Sequence, residues 1–219
     1  MITKPTLLLD SDKCRTNIGR MAAKAAAKGL SFRPHFKTHQ SLEIGRWYRE
    51  FGVTKITVSS LSMAGYFSDE WNDITVAFPV NILEIETINE LASKITLNIQ
   101  LENIESAAFL AENLRANLGC FIKRDVGTHR TGADPKDTKR IEAVMDVIDS
   151  SDHMRFMGFL AHSGHTYRCT SKKEVIEIHE KTRGIMLELK QKYKSRYPDL
   201  ILSVGDTPSC SLAENFEGL

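Results

Sequence analysis

The sequence lacks an excess of either charge. It contains 29 Lys+Arg against 28 Asp+Glu, a formal net charge of +1. A protein that holds nucleic acid needs a strongly basic face, because phosphate contacts dominate that binding. The balance therefore predicts that nucleic acid is not a partner and that the ligand is a small molecule.

Paired cysteines and long apolar runs are also missing. Cys14, Cys120, Cys169 and Cys210 are far apart and form no CxxC pair, which argues against a zinc knuckle or a disulfide framework. No apolar run approaches the ~20 residues that span a bilayer. The opening residues Met1–Pro5 lack the apolar region of a secretory signal. We expect a cytoplasmic protein that does not enter a membrane.

What the sequence does contain is a regular alternation of strands and helices. Its 219 residues, 42% of them hydrophobic, suffice for one domain with a substantial core. Short Val/Ile/Thr-rich runs typical of buried parallel strands alternate with helical segments seven or eight times, which favours a (β/α)8 TIM-type barrel over an open doubly wound sheet. The predicted strands lie at residues 6–9, 31–36, 55–59, 73–78, 95–99, 119–125, 155–161 and 200–204, and a helix is predicted to begin at Asp134-Pro135.

Lys37 ends a strand-like run in which basic residues recur at every second position. Alternation places Arg33, His35 and Lys37 on one side and Phe32 and Phe36 on the other. A lysine among cationic and aromatic neighbours loses hydration, which favours the neutral amine that forms Schiff bases. The alternative is a solvated lysine at a strand end.

The segment Gly205–Ser211 follows the last predicted strand, where barrels commonly hold a phosphate with backbone amides and hydroxyls. Thr207 and Ser209 could donate such bonds, whereas Asp206 would repel a phosphate unless its carboxylate is turned away. The alternative is a plain turn. Together with Lys37, the segment offers one aldehyde anchor and one dianion anchor, which is what pyridoxal phosphate requires.

Two further loops carry candidate side chains. The loop Gly127–Gly132 could aim Arg130 at a cofactor oxygen or a substrate carboxylate, or Arg130 could pair with Asp125 or Asp134 at the surface.

A second loop brings His162, His165 and Tyr167 within six residues. Such rings can stack on a planar cofactor or move protons. A zinc site with Cys169 is a weak alternative, because the His-x-x-His spacing lacks the helix and the carboxylate of a metalloprotease motif. Ordinary loop histidines are the other alternative.

Four motifs together resemble a known family. Arg33–His39, Asp125–Gly132, Gly158–Tyr167 and Gly205–Ser209 are similar to the motifs of the D-threonine aldolase and D-serine dehydratase family, over a match from residue 6 to about 211. These are pyridoxal-phosphate enzymes with an alanine-racemase-like barrel.

The resemblance implies residue roles at the site. It implies that Lys37 forms the Schiff base, that Arg130 bonds near the phenolic oxygen of the cofactor and that His162 lies against the pyridine ring. It implies cofactor-binding roles for the remaining members of the motifs, His35, Tyr167, Gly205, Asp206 and Thr207.

The implied activity is a lyase reaction on D-3-hydroxy amino acids. Such a substrate either loses its β-hydroxyl, as in a D-serine dehydratase, or breaks its Cα–Cβ bond, as in a D-threonine aldolase. A pyridoxal-phosphate carrier and an amino-acid racemase are the alternatives, but the Val-Ser-Lys strand of the carriers and the Lys-Ala-Asn-Ala-Tyr type of the racemases do not occur here.

The resemblance also sets an expectation about domains. Family members are usually dimers and carry a C-terminal β domain that supplies a divalent-metal site, with Zn²⁺ or Mn²⁺ bound by His with Cys or Asp. We expect residues 1–219 to be the pyridoxal-phosphate-binding barrel domain alone, without metal ligands, and its last strand to be missing, since residues 6–10 belong with the second domain in this family.

Overall fold

A single parallel sheet in chain order forms the centre of the fold. The computed structural model describes residues 3–4, 6 and 8–219. Each strand pairs in parallel with the next one along the chain. The strands are β1 Ile56–Val58, β2 Asp73–Pro79, β3 Thr96–Leu101, β4 Leu118–Arg124, β5 Met154–Ala161 and β6 Ile201–Val204.

Helices connect the strands and cover one face of the sheet. They are α1 Ser11–Ala27, α2 Leu42–Glu50, α3 Leu61–Ser68, α4 Ile85–Lys94, α5 Ile104–Asn113, α6 Thr138–Asp149, α7 Lys172–Tyr193 and α8 Thr207–Leu212. Short 3-10 helices occupy Ile82–Glu84 and Gly164–Arg168. Among the described residues β1 and β6 do not pair. The arrangement is therefore an incomplete (β/α) barrel, which confirms the predicted fold class.

Six of the eight predicted strands are present in the described residues. The run at 31–36 pairs only through an isolated bridge between His35 and Thr57, because Pro34 has no amide to extend the ladder. Its backbone still hydrogen-bonds to β1 on both sides of the bridge. The first predicted strand, 6–9, includes Leu7, which lies outside the described residues, and Leu8 and Leu9 are not in a strand.

The two faces of the sheet differ in chemistry. Along β4, Leu118, Cys120 and Ile122 belong to the apolar core beneath the helices. The alternate residues of β4 lie on the opposite face. Gly119 is one of them, and a Cβ added there would lie 2.0 Å from Asn98 Oδ1 on β3. This face therefore also carries polar side chains of the neighbouring strands. The buried polar residues of this inner face are Thr57, Thr75, Asn98, Gln100 and Lys123.

Side-chain caps set several helix starts. Ser41 accepts from Ile44 N, and the predicted cap Ser171 accepts from Glu174 N. The predicted helix start at Asp134-Pro135 is wrong: α6 begins at Thr138 and is capped by Asp137. The reason is that Ala133 is hydrogen-bonded beside β4, so the chain must still turn before the helix can begin.

Within residues 3–4, 6 and 8–219, no helix is both long enough and apolar enough to cross a membrane.

Candidate active site

Lys37 lies in a tight turn just beyond the bridge at His35, with its side chain exposed. The turn is closed by Gln40, whose backbone amide donates to Phe36 O at 3.0 Å and whose side-chain amide donates to Lys37 O at 3.2 Å. Gln40 has a positive φ of 46°, a conformation that non-glycine residues adopt only when other contacts impose it. The chain therefore holds Lys37 at a fixed position on the rim.

The strand geometry predicted for Lys37 is wrong. Arg33 does not share its surroundings, because its guanidinium bonds the Asp73 carboxylate at 2.7 Å at the start of β2, the opposite end of the sheet. Lys37 follows the bridge instead of continuing a strand, so alternation does not reach it. Its side chain also remains in contact with water, contrary to the desolvation that the sequence indicated.

An aromatic cluster anchors this turn from beneath. Phe36 is fully buried and makes edge contacts with His39, Phe67 and Trp71 at centroid distances of 4.4, 5.1 and 5.2 Å. His39 accepts from Ser41 N through Nδ1, and burial lowers its pKa. Aromatic packing of this kind adds to the stabilisation gained from apolar burial alone. His39 is therefore part of the support for the turn.

His35 links the first turn to the opposite loop. Burial, and then the positive charges of Lys37 and His162, lower the pKa of His35 to about 4. Its Nδ1 lies 3.3 Å from the Lys37 amide and accepts from it. Interaction with His162, which follows β5, shows that the sheet curls enough to bring these two loops together. The structure thus places His35, Lys37 and His162 in one cluster.

The loop after β4 is shaped by Asp125. Its carboxylate accepts backbone amides from Gly127, Thr128 and His129 at 3.0 to 3.1 Å, and it pairs with the His129 side chain. Arg130 projects from the end of this loop and is exposed. Among the described residues it forms no ion pair with Asp125 or any other acid. The geometry therefore does not support the alternative of a surface ion pair.

Thr128 joins the loops after β4 and β5. Its hydroxyl donates to His162 O at 2.8 Å and accepts from Gly164 N at 2.9 Å. His162 in turn donates from Nδ1 to Gly205 O at 2.7 Å, because a carbonyl oxygen can only accept. The pKa of His162 is lowered, chiefly because the ring is buried. The neutral ring therefore keeps an unprotonated Nε2.

The segment after β6 begins a helix where the sequence indicated a loop or a plain turn. Asp206 is buried and caps α8: it accepts from Ser209 N at 2.9 Å and from the Thr166 hydroxyl at 2.7 Å. Its carboxylate is thus turned into the protein, which removes the expected repulsion of a phosphate. Thr207 N donates to the Tyr167 hydroxyl oxygen at 3.2 Å, so the loops after β5 and β6 meet at the rim.

Lys123 was missed by sequence reasoning. It lies on the inner face near the end of β4 and is only 5% exposed. Burial, followed by the charge of Arg130, lowers its pKa to about 8, while Glu102 and Asp125 act in the opposite direction. Its charge also acts on His162. Lys123 therefore belongs to the same cluster as Arg130 and His162.

The zinc alternative finds no geometric support in the described part of the chain. No group of three His, Cys, Asp or Glu side chains there could hold a metal ion. His165 contacts the Thr128 hydroxyl through Nδ1 at 3.3 Å.

The fold and this rim define the chain as a barrel domain of the alanine racemase type. The sequence profile described as "Alanine racemase, N-terminal domain" matches residues 9–217. The chain belongs to this family.

Relatives extend the comparison. D-serine dehydratase of Dictyostelium discoideum is 30% identical over 96% of this chain, and D-threo-3-hydroxyaspartate dehydratase of Delftia sp. is 26% identical over 98%. The chain spans 57% and 58% of their lengths. A metal-free mutant form of D-threo-3-hydroxyaspartate dehydratase superimposes on the whole chain with a TM-score of 0.93 and 25% identity, over 59% of that structure. D-threonine aldolase of Filomicrobium marinum, at 18% identity, shares the fold with a TM-score of 0.81 over 92% of this chain and 61% of its own.

Proposed function

We propose that this chain is the pyridoxal-phosphate-binding barrel of a lyase that acts on D-3-hydroxy amino acids, with Lys37 as the residue that bonds to the cofactor's aldehyde. The observation that carries the proposal is the convergence of Lys37, His35 and His162 at one end of the sheet. Similarity to enzymes named D-serine dehydratase and D-threo-3-hydroxyaspartate dehydratase supports the substrate class.

The residues at the rim fit an anionic cofactor that carries an aldehyde and a phosphate. Lys37, Lys123 and Arg130 bring positive charge to the mouth, and none of them forms an ion pair among the described residues. Ser209 Oγ is buried without a hydrogen-bond partner there, beside the segment Gly205–Thr207 proposed for the phosphate. A phosphate oxygen would satisfy that hydroxyl, and the inward turn of Asp206 leaves the segment free of a repelling carboxylate.

Each remaining site residue has a role that follows from its contacts. His162, neutral and fixed by Gly205 O, would present its ring to the flat face of the cofactor. Tyr167 is held by Thr207 N and would help to fix the same loop around the phosphate. Arg130, on its tight loop, would bind the ring oxygen of the cofactor. His35 would support Lys37 through the bond to its amide.

When bound, pyridoxal phosphate supplies an electron sink for the bond that breaks at the substrate Cα. The amine of Lys37, once the substrate amine has taken its place on the cofactor's aldehyde, would accept the proton removed from Cα, since Lys37 lies at the mouth. His35 and His162 would remain neutral near pH 7, so that they add no further positive charge beside this amine. The choice between loss of the β-hydroxyl and cleavage of Cα–Cβ depends on what polarises that hydroxyl.

Borohydride reduction followed by peptide mapping tests the proposal. The protein loaded with pyridoxal phosphate should carry the reduced cofactor on Lys37, and Lys37→Met should abolish the label. Lys123 is the informative comparison, because its lowered pKa favours the neutral, nucleophilic form of its own amine. A label on Lys123, or on neither lysine in folded protein, contradicts the assignment of Lys37. Products formed from D-serine and D-threonine, keto acid against glycine and aldehyde, then distinguish dehydratase from aldolase.

A further inference from the structure

Lys123 is a buried cation at the barrel mouth to which the proposed function assigns no bonding partner. It is 5% exposed, and its Nζ forms no hydrogen bond or ion pair with any described residue. The position is rigid, because β4 pairs with strands on both sides and a Cβ at Gly132 would lie 2.9 Å from Lys123 Cγ. The backbone and the first carbons of the Lys123 side chain are therefore held in place.

The nearby carboxylates already have other partners. Glu102 accepts from the Gln100 side chain at 2.7 Å, and Asp125 accepts the amides of its own loop. Burial and the charge of Arg130 lower the pKa of Lys123. The charges of Glu102 and Asp125 act in the opposite direction, so the pKa falls only to about 8. At neutral pH the group is mostly cationic, yet no acceptor among the described residues bonds to it.

We propose that Lys123 binds the carboxylate of the D-amino acid substrate, an assignment that rests on the proposed function. The other anionic groups of the complex have nearer candidates. The phosphate belongs to the segment after β6, which is separated from β4 by β5, and Arg130 is assigned to the ring oxygen of the cofactor. Every amino acid substrate brings a carboxylate, and a buried ammonium is a strong partner for it.

The ring oxygen of the cofactor is the other anionic oxygen that could reach Lys123, since Arg130 is close to the same amine. The two sources differ in when they arrive. A cofactor oxygen would engage Lys123 in the loaded protein before any substrate is present, whereas a carboxylate would engage it only on addition of the amino acid or of a simple carboxylic acid.

Competitive acetylation read by mass spectrometry distinguishes these sources in the unmutated chain. In protein loaded with pyridoxal phosphate, glycolate, which has no amino group, should reduce acetylation of Lys123 severalfold and leave the exposed Lys139 unchanged. If the cofactor alone protects Lys123 and glycolate adds nothing, the carboxylate assignment is overturned in favour of the ring oxygen.

Ligand discrimination supplies a second test. Apparent Kd values for D-serine and for D-serinamide, which lacks the carboxylate, are read from the visible absorption of the bound cofactor. Lys123→Met should raise the apparent Kd of D-serine by at least about tenfold, the effect of losing a charge-assisted bond. The apparent Kd of D-serinamide should change little. Lys123→Arg should restore much of the preference, and Lys139→Met should keep all of it.

The outcomes separate this inference from the proposed function. If reduced cofactor maps to Lys37 but Lys123→Met still prefers D-serine to its amide, only the role of Lys123 is refuted. If the label maps to Lys123 itself, both assignments are overturned. Should Lys123→Met fail to fold, Lys123→Arg and the acetylation of the unmutated chain decide the question.

Discussion

The strongest electrostatic prediction concerns His35. Its pKa falls from the usual 6.5 to about 4, because the ring is mostly buried and lies near Lys37 and His162. In the unfolded chain the ring takes up a proton near pH 6.5, but in the folded protein it resists protonation until about pH 4. The stabilisation is therefore fully present above pH 6.5 and is lost as the pH falls toward 4.

The magnitude follows from the size of the shift. At about 1.36 kcal/mol per pH unit, a displacement of roughly 2.5 units sets an upper limit of about 3.4 kcal/mol. Because the ring is partly exposed and the surrounding charges are screened, we expect roughly 2 kcal/mol. Other groups also titrate in this range, so the informative quantity is the difference between the wild type and a variant that lacks this one proton-binding site.

Urea denaturation of the cofactor-free protein at several pH values between 7 and 4 measures that difference. His35→Gln keeps a polar group that can accept from the Lys37 amide but cannot titrate. The wild type should lose roughly 2 kcal/mol more of its free energy of unfolding than this variant over the interval. Lys37→Met should fall between them, because it removes one of the two charges but leaves the burial intact. Equal pH slopes for the wild type and His35→Gln would refute the reasoning.

Two substitutions test how the rim is held together. Thr128→Val removes the hydroxyl that joins two loops and should lower the free energy of unfolding by about 2 kcal/mol, since it leaves two backbone groups without a partner. Thr128→Ser keeps the hydroxyl and should be as stable as the wild type. A valine variant as stable in urea as the wild type would contradict the role of this hydroxyl. Gly158→Ala places a Cβ 1.9 Å from Ile201 O at a φ of 137° and should cost more than about 3 kcal/mol or prevent folding. The matched control Gly184→Ala, in open space on α7, should be neutral or slightly stabilising.

The sequence predicts the fold well because burial leaves a periodic trace. Buried strands are short apolar runs, and β1 to β6 all fall where such runs occur, with Val, Ile and Thr in β1 and β2 and with Phe, Leu and Met in β5. Pairing at residues 31–36 was overestimated, since the run includes Pro34 and achieves only one bridge. Periodicity indicates which side chains can be buried, but it does not count the hydrogen bonds that a strand will form.

The site was predicted less completely, because its residues are positioned by turns and caps. The role of Asp206 could have been inferred from an acidic residue two positions before Pro208, a pattern typical of a helix start. Lys123 could have been found by alternation, because Leu118, Cys120 and Ile122 form the apolar side of β4 and Lys123 therefore falls on the other side. The positive φ of Gln40, which sets the Lys37 turn, leaves no such trace, since glutamine is not a residue that favours this conformation.

Burial is the main cause of the protonation states of the rim side chains, and on the proposed function these states together suit an anionic ligand. Burial leads the lowering of the pKa of both His35 and His162, so neither ring competes near pH 7 for the anionic groups of a ligand. The same cause lowers the pKa of Lys123 only to about 8, because Glu102 and Asp125 partly offset it, and the amine stays mostly protonated. A neutral ring beside the cofactor and a cation beside the carboxylate would therefore need only the depth of burial and the two acids that follow β3 and β4, Glu102 and Asp125.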